Sequence, residues 1–471
     1  MKYLASFFLI FFSLSTTGQS SSMYDSDVAL GRKSAAAVEY QYGILDDAEK
    51  QAYVNAIGQR LVAALDETYF PYSFRIIPEA SPNAFALPGG FCFVTTGLLE
   101  LISTEGELAG VLAHEIIHAQ NRHGMKLQKK GLLPSLLSIP GAIVGTVSSD
   151  LGGLINAPLG ASSALVMARY GREFETEADV EGVKLAVKAG YSAEDLISAL
   201  AKLEQVVELI TGEEEKKSYF NDHPITEVRI ERLQEISATT KTNPREPLGS
   251  FVEEMEALPV GPLPEYGVVD DNTLLMPVQN LKVTFTADFE MAAYAKVAMA
   301  VYEKHNAAFA VSELPDTVTM KKAIEAVQKD LAKLDKHYLQ ENESYQWNDY
   351  PGYKIRFIDP SSRNGIQYAV RWIDMGERVV QLVAMAPTGY TQEIEAALKS
   401  LSPLTDEDKS KVERKSMVRV SAREGENIQV LSARVDNKLS PEATALINEY
   451  PLQEELAKGT LIRVVQASPY F

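Results

Sequence analysis

Cysteine is nearly absent from the 471 residues. Cys92 is the only one, so no disulfide can form within the chain. Flanked by Phe91 and Phe93, its thiol reads as a small buried hydrophobe rather than a nucleophile. Positive charge is also in short supply: 45 Lys and Arg face 64 Asp and Glu, a formal net charge of −19. That balance excludes a nucleic-acid partner, because a polyphosphate would be repelled. The sequence shows no strong internal repeat, and it has only six histidines. Any clustering among so few imidazoles is informative.

Hydrophobic residues make up 46% of the chain and charged residues 23%, a globular composition, and the length calls for two or three domains. Residues 1–18 carry a lysine, an apolar run and then small residues, the pattern of a cleaved signal peptide. The mature chain is expected to start near Gln19 in a periplasmic or secreted setting, and no cysteine near that point supports a lipid anchor. Residues 131–149 and 151–168 lack charge and are long enough to raise the question of membrane helices. Pro134, Pro140 and Pro158, with many Gly and Ser, favour partly helical, soluble packing there.

Periodicity predicts helices within 24–65, where Tyr53, Ile57, Leu61 and Leu65 recur every fourth residue, and strands at 72–77 and 91–95 around the turn Pro88-Gly89-Gly90. Thr104 and Glu107 have capping-box spacing, so a helix is expected from there to about 123, followed by helices at 165–189, ended by Gly190, and at 193–210. Five prolines between Pro244 and Pro264 mark 241–277 as a linker. Over 278–405, strands at 281–285, 354–358, 368–372 and 379–384 alternate with expected helices at 291–305 and 317–334, an α+β pattern. The charged run 406–415 opens a final module with a strand at 418–420, helices at 428–435 and 441–448, and a strand at 461–465.

The chemistry concentrates in His114-Glu115-Ile116-Ile117-His118. On a helix, this spacing puts two imidazoles one turn apart with a carboxylate beside them, the minimal equipment for a metal-activated water. A hydrolytic zinc site needs a third protein ligand, and Glu175, in the stretch 172–179, is the candidate. Asp179, four residues on, shares its helix face and could fix the tautomer of a ligating histidine, whereas Glu177, about 200° round the helix, is expected to point away. His123 falls about 180° from His114 on a continuous helix and is left out of the site, and His305 and His337 read as surface or core residues.

Four segments then occur in a telling order: Asn83-Ala84-Phe85-Ala86-Leu87-Pro88-Gly89-Gly90, the HEXXH helix, the 172–179 stretch, and His223-Pro224 with Arg229. Together they resemble, over about residues 30–237, the HtpX and CAAX-prenyl-endopeptidase type of zinc metalloprotease, a gluzincin family, and most of all its soluble periplasmic, BepA-like branch. The resemblance implies that His114, His118 and Glu175 bind one Zn2+ per chain and that Glu115 is the general base. It also implies that His223 and Arg229 stabilise the oxyanion, and that Asn83, Gly89 and Gly90 hold substrate backbone along a sheet edge. His223 is further expected to visit the open zinc position when substrate is absent.

Residues 418–466 resemble a LysM-like module in Glu424-Gly425-Glu426-Asn427, Leu446-Ile447-Asn448-Glu449 and 458–463, and depart from that pattern at Asn427 and Ile447, as a degenerate cap would. The expected organisation is a signal peptide (1–18), a mainly α zinc-metalloprotease domain with a small sheet beside its cleft (19–240), a linker (241–277), an α+β domain (278–405) and the LysM-like module (406–471). The function so implied is an envelope endopeptidase for misfolded or unassembled proteins, with an unfolded protein or peptide as substrate and association with the outer membrane or cell wall. The alternative is an envelope chaperone or cell-wall-binding protein whose metal site is structural or inactive.

Overall fold

The computed structural model describes residues 15–129, 170–211, 227–286, 289–332, 338–359 and 365–471. The uncharged stretches 131–149 and 151–168, His223 and His337 lie outside them. Among the described residues, no helix is long and apolar enough to cross a membrane.

The N-terminal part starts with helices α1 (Ser15–Tyr42) and α2 (Ala48–Val62) and a three-stranded sheet of β1 (Ser73–Ile77), β2 (Ala84–Leu87) and β3 (Phe91–Thr95). Strand order is β1-β3-β2, with β1 parallel and β2 antiparallel to β3, so β2 is an edge. Helices α3 (Thr96–Leu101), α4 (Glu105–Gln120), α5 (His123–Lys129), α6 (Arg172–Ala189), α7 (Asp195–Thr211) and α8 (Glu227–Thr239) follow. Gly190 ends α6 in a left-handed conformation at φ 98°, a helix stop that glycine adopts without a Cβ penalty.

Helix α4 is the centre of this part, buried on almost every side from Glu105 to Ala119. Its first turn carries the expected capping box between Thr104 and Glu107. The buried Glu105 carboxylate accepts from Arg60 (3.1 Å), Tyr191 Oη (2.8 Å) and the Leu248 N–H (2.7 Å), while Lys202 Nζ lies 2.7 Å from Glu107. Acidic groups at a helix N-terminus are favoured by the exposed N–H dipoles, and these partners satisfy them away from water.

The helix expected to run to 123 stops at Gln120. Arg122 has φ 55°, and its guanidinium forms a bidentate pair with Asp27 of α1, Nη2 to Oδ1 being 2.8 Å, so the chain turns before α5 starts at His123. A non-glycine residue at positive φ costs energy and persists only where its surroundings hold it, as this partly buried pair does.

The expected linker is built structure instead. It holds α9 (Phe251–Glu254), a 3-10 turn at Pro264–Tyr266, β4 (Val268–Asp270) and β5 (Thr273–Met276). These strands join β6 (Leu281–Thr284) in a second sheet, and residues 257–260 hydrogen-bond to the backbone of the C-terminal module at Lys415 and Met417. The prolines fall mainly where the chain turns or runs along an edge, which proline tolerates.

A seven-stranded antiparallel sheet comes next, ordered β10-β11-β12-β13-β9-β8-β7, from β7 (Glu290–Ala293), β8 (Val297–Tyr302), β9 (Ala307–Glu313), β10 (Leu339–Trp347), β11 (Tyr350–Asp359), β12 (Ile366–Asp374) and β13 (Val379–Pro387). Helix α10 (Met320–Leu331) packs on one face and α11 (Gln392–Ser400) on the other. The helix expected at 291–305 is β7 and β8, because burial within the sheet overrides the helix preference of its alanines.

After the short β14 (Ser402–Pro403) and α12 (Asp406–Ser410), the last module pairs β15 (Glu413–Ser421) with β16 (Leu461–Pro469) around α13 (Ile428–Arg434) and α14 (Pro441–Asn448). It docks on the N-terminal end of α4. Arg463, 4% exposed, donates to the Ile102 carbonyl (2.7 Å), to Ser103 Oγ (2.8 Å) and to the Ile447 carbonyl, and burial draws its pKa down to about 10. Arg463→Met should lower stability to chemical denaturation by about 2–4 kcal/mol, since it strips charged donors from buried carbonyls.

Helices α4 and α6 approach at Gly182, where a Cβ would lie 3.1 Å from His114 N and Cα. Both neighbours are backbone, so neither helix can yield without moving the other. Gly182→Val is expected to cost about 1–3 kcal/mol in unfolding experiments through overpacking at this contact.

Candidate functional site

The close contact at Gly182 sets the register of the site. Glu175, Asp179 and Gly182 fall at i, i+4 and i+7 on one face of α6, so the glycine against His114 brings both carboxylates to the histidines of α4. His114 Nε2 and His118 Nε2 lie 3.0 Å apart, and Glu175 oxygens lie 3.6 Å from the first and 3.4 Å from the second. Donors at the corners of a tetrahedron with bonds of about 2.0–2.1 Å are separated by roughly 3.3–3.4 Å. The three observed edges bracket that value, so these residues fit a tetrahedral metal ion; among the described residues they form the metal-competent group.

Asp179 Oδ1 is 3.0 Å from His114 Nδ1. Burial works against its ionisation, but the His114 ring and then Arg229 outweigh it and hold the carboxyl below its usual range. Arg229 of α8 is buried and bridges the two acids, with Nε and Nη2 2.9 and 2.8 Å from Asp179 and Nη1 2.8 Å from Glu175. Burial opposes that charge too, and Asp179 followed by Glu175 sustains it. The contacts seen for Arg229 are thus those of a carboxylate clamp, a role its isolated place in the sequence did not reveal.

Glu115, 3% exposed, lines a small pocket of about 40 Å³ together with His114, Arg229, Asn83 and Ala84. Its walls are otherwise apolar, from Leu98, Val111, Leu196, Leu200 and Leu203. Asn83 precedes edge strand β2, with its N–H on Thr95 Oγ1 at 2.9 Å. Gly89 and Gly90, expected to hold substrate, are absent from that lining. They turn the chain at φ 79° and 84°, and a Cβ on Gly89 would lie 2.6 Å from Val28 Cα in α1. Their glycine identity follows from that packing. His223 is outside the described residues. Cys92 is buried in the core as expected, its thiol pushed up by desolvation.

His123 is the residue the sequence reading missed. A continuous helix would carry it about 140° round from His118. The break at Arg122 instead brings its Nδ1 to 3.0 Å from His118 Nδ1. Desolvation, helped by Lys126 and His114, lowers its pKa to about 4, so the ring is neutral near pH 7. Glu177, expected to point away, reaches this turn as well: Oε2 lies 3.3 Å from His123 Nε2, and Oε1 accepts from Asn121 Nδ2 at 2.7 Å. Asn121 and Gly124, both helix-stop residues, were the available signal.

Residues 48–237 match the model of Peptidase family M48. That segment contains every donor of the site just described. Relatives include a beta-barrel assembly-enhancing protease of Yersinia pestis, 26% identical over 47% of this chain and 46% of its own length. The mitochondrial metalloendopeptidase OMA1 of Schizosaccharomyces pombe is 30% identical over 39% of this chain and 52% of its own. The beta-barrel assembly-enhancing protease of Escherichia coli K12 is 28% identical over 34% of each. The chain thus spans between a third and about half of the length of these relatives. Its homologues are metalloendopeptidases, and the M48 match ends before the two β-rich sheets and the C-terminal module.

Because Arg229 neutralises two buried carboxylates, Arg229→Met should destabilise the metal-free protein by about 3–5 kcal/mol. Added zinc should narrow that deficit, a difference readable by thermal unfolding with and without chelator.

Proposed function

We propose that the chain is a zinc-dependent endopeptidase of the bacterial cell envelope that acts on misfolded or unassembled proteins. The observation carrying this reading is the buried cluster of His114, His118 and Glu175, whose His114 lines one pocket with Glu115, Asn83 and Ala84 at edge strand β2. Two imidazoles and one carboxylate are the donor set of hydrolytic zinc sites, which keep one position open. When bound, zinc makes a water acidic near neutral pH and polarises a carbonyl.

The protein's own groups do the rest. Asp179 accepts the His114 Nδ1 proton and keeps Nε2 available as a ligand, at the 3.0 Å separation observed. Arg229 holds Asp179 and Glu175 in register, and it and His223 are the donors proposed for the developing oxyanion. Glu115 takes a proton from the attacking water on its carboxylate and returns it to the leaving amine nitrogen. A peptide paired along β2 near Asn83 is held by main-chain hydrogen bonds, which ignore side-chain identity and allow broad specificity. The apolar wall from Leu196, Leu200 and Leu203 suits an apolar substrate side chain, the kind an unfolded protein exposes.

Two relatives carry beta-barrel assembly in their names, and the signal-like residues 1–18 agree with an exported protein. Both support the envelope setting. The full chain should hydrolyse casein and lose that activity when zinc is chelated. Glu115→Gln should cut turnover by about 10²–10⁴-fold while zinc content stays at one per chain. Unchanged turnover in that variant would remove Glu115 from its role.

A further inference from the structure

We propose that His123 and Glu177 form a positioning chain behind His118 that sets its tautomer and ring orientation as a metal ligand. The proposal rests on reading His114, His118 and Glu175 as the zinc site. His118 turns Nε2 toward His114 and Glu175, so its other nitrogen, Nδ1, must find a partner in a side chain with no solvent exposure. That partner is His123 Nδ1, at 3.0 Å.

The proton order follows from the chemistry of imidazole. A ligating Nε2 requires the His118 proton on Nδ1, and a donor there requires a lone pair on His123 Nδ1. His123 must then carry its own proton on Nε2, which lies 3.3 Å from Glu177 Oε2. His114 has Asp179 directly on Nδ1, whereas His118 has a carboxylate one imidazole further out. Both ligands are therefore backed by negative charge, at different range.

The backbone and packing support this placement independently. The Arg122–Asp27 pair holds the helix break, the His123 ring stacks on Phe174 with centroids 4.5 Å apart, and Asn121 holds the Glu177 carboxylate at 2.7 Å. His123 is 0% exposed. A ring kept there only for bulk could be replaced by another ring, and that is the distinction to test.

Zinc affinity of the full-length chain, measured by competition with a chromophoric chelator, provides a readout besides activity. His123→Phe keeps a ring against Phe174 but has no acceptor, and should bind zinc about 10–100-fold more weakly. His123→Asn puts an amide oxygen near the Nδ1 position and should recover affinity to within about 3–10-fold of wild type, the scale of one imperfect hydrogen bond. Glu177→Gln, at the partly exposed end of the chain, should weaken binding about 3–10-fold without disturbing the core, and it keeps the test open if His123→Phe fails to fold. Wild-type affinity in both His123→Phe and Glu177→Gln would overturn the proposal, as would equal losses in His123→Phe and His123→Asn. A wild-type chain that binds no zinc would overturn the metal site itself, and with it this inference.

Discussion

The arrangement depends on one backbone contact, the approach of α6 to α4 at Gly182. With a Cβ position only 3.1 Å from the backbone of His114, the two helices touch at the residue that begins the HEXXH sequence. The helical repeat then leaves no freedom: residues three and seven positions earlier on α6 must face the same side, and they are Asp179 and Glu175. Two acids buried beside two imidazoles would be unfavourable alone. Arg229 makes the cluster tolerable by giving each carboxylate a charged donor, so the third helix, α8, completes what the first two begin.

The rest of the molecule holds α4 at both ends. At its N-terminus, Glu105 and Glu107 are satisfied by residues of α2, α7 and the segment around Leu248, and Arg463 ties the C-terminal module to the carbonyl of Ile102 just upstream. At its C-terminus, Gln120 accepts from Tyr72 Oη at 2.8 Å, and Arg122 is gripped by Asp27. The C-terminal module is thus in contact with the end of the helix that carries the HEXXH sequence and is not a loosely tethered appendage. Helix α7 links the two regions, since Lys202 touches Glu107 and Glu449 while Leu200 and Leu203 line the pocket.

What could be read in advance divides along the range of the interactions. Local signals were legible: the Thr104–Glu107 capping box, the Gly190 stop, the turn at Pro88-Gly89-Gly90 and the same-face pairing of Glu175 with Asp179 each depend on a few neighbouring residues. Long-range choices were hidden. The alanines of 291–300 prefer a helix until a seven-stranded sheet buries them, and the prolines of 244–264 suggest a linker until β4 and β5 find β6. Arg229 as a clamp, and His123 as a partner of His118, depend on contacts across 50 residues and on a helix break fixed by Asp27, 95 residues away. Periodicity along one helix carries no information about either.

Two imidazoles of α4 and one carboxylate of α6 are proposed to hold a single zinc ion. X-ray absorption at the zinc edge of the loaded, full-length chain tests this assignment most directly. Two imidazole nitrogens and oxygen ligands at about 2.0–2.1 Å in a four-coordinate site are expected, with the imidazole signal halved in His118→Ala. A shell of oxygens with one imidazole or none, or a spectrum that His118→Ala leaves unchanged, would contradict it.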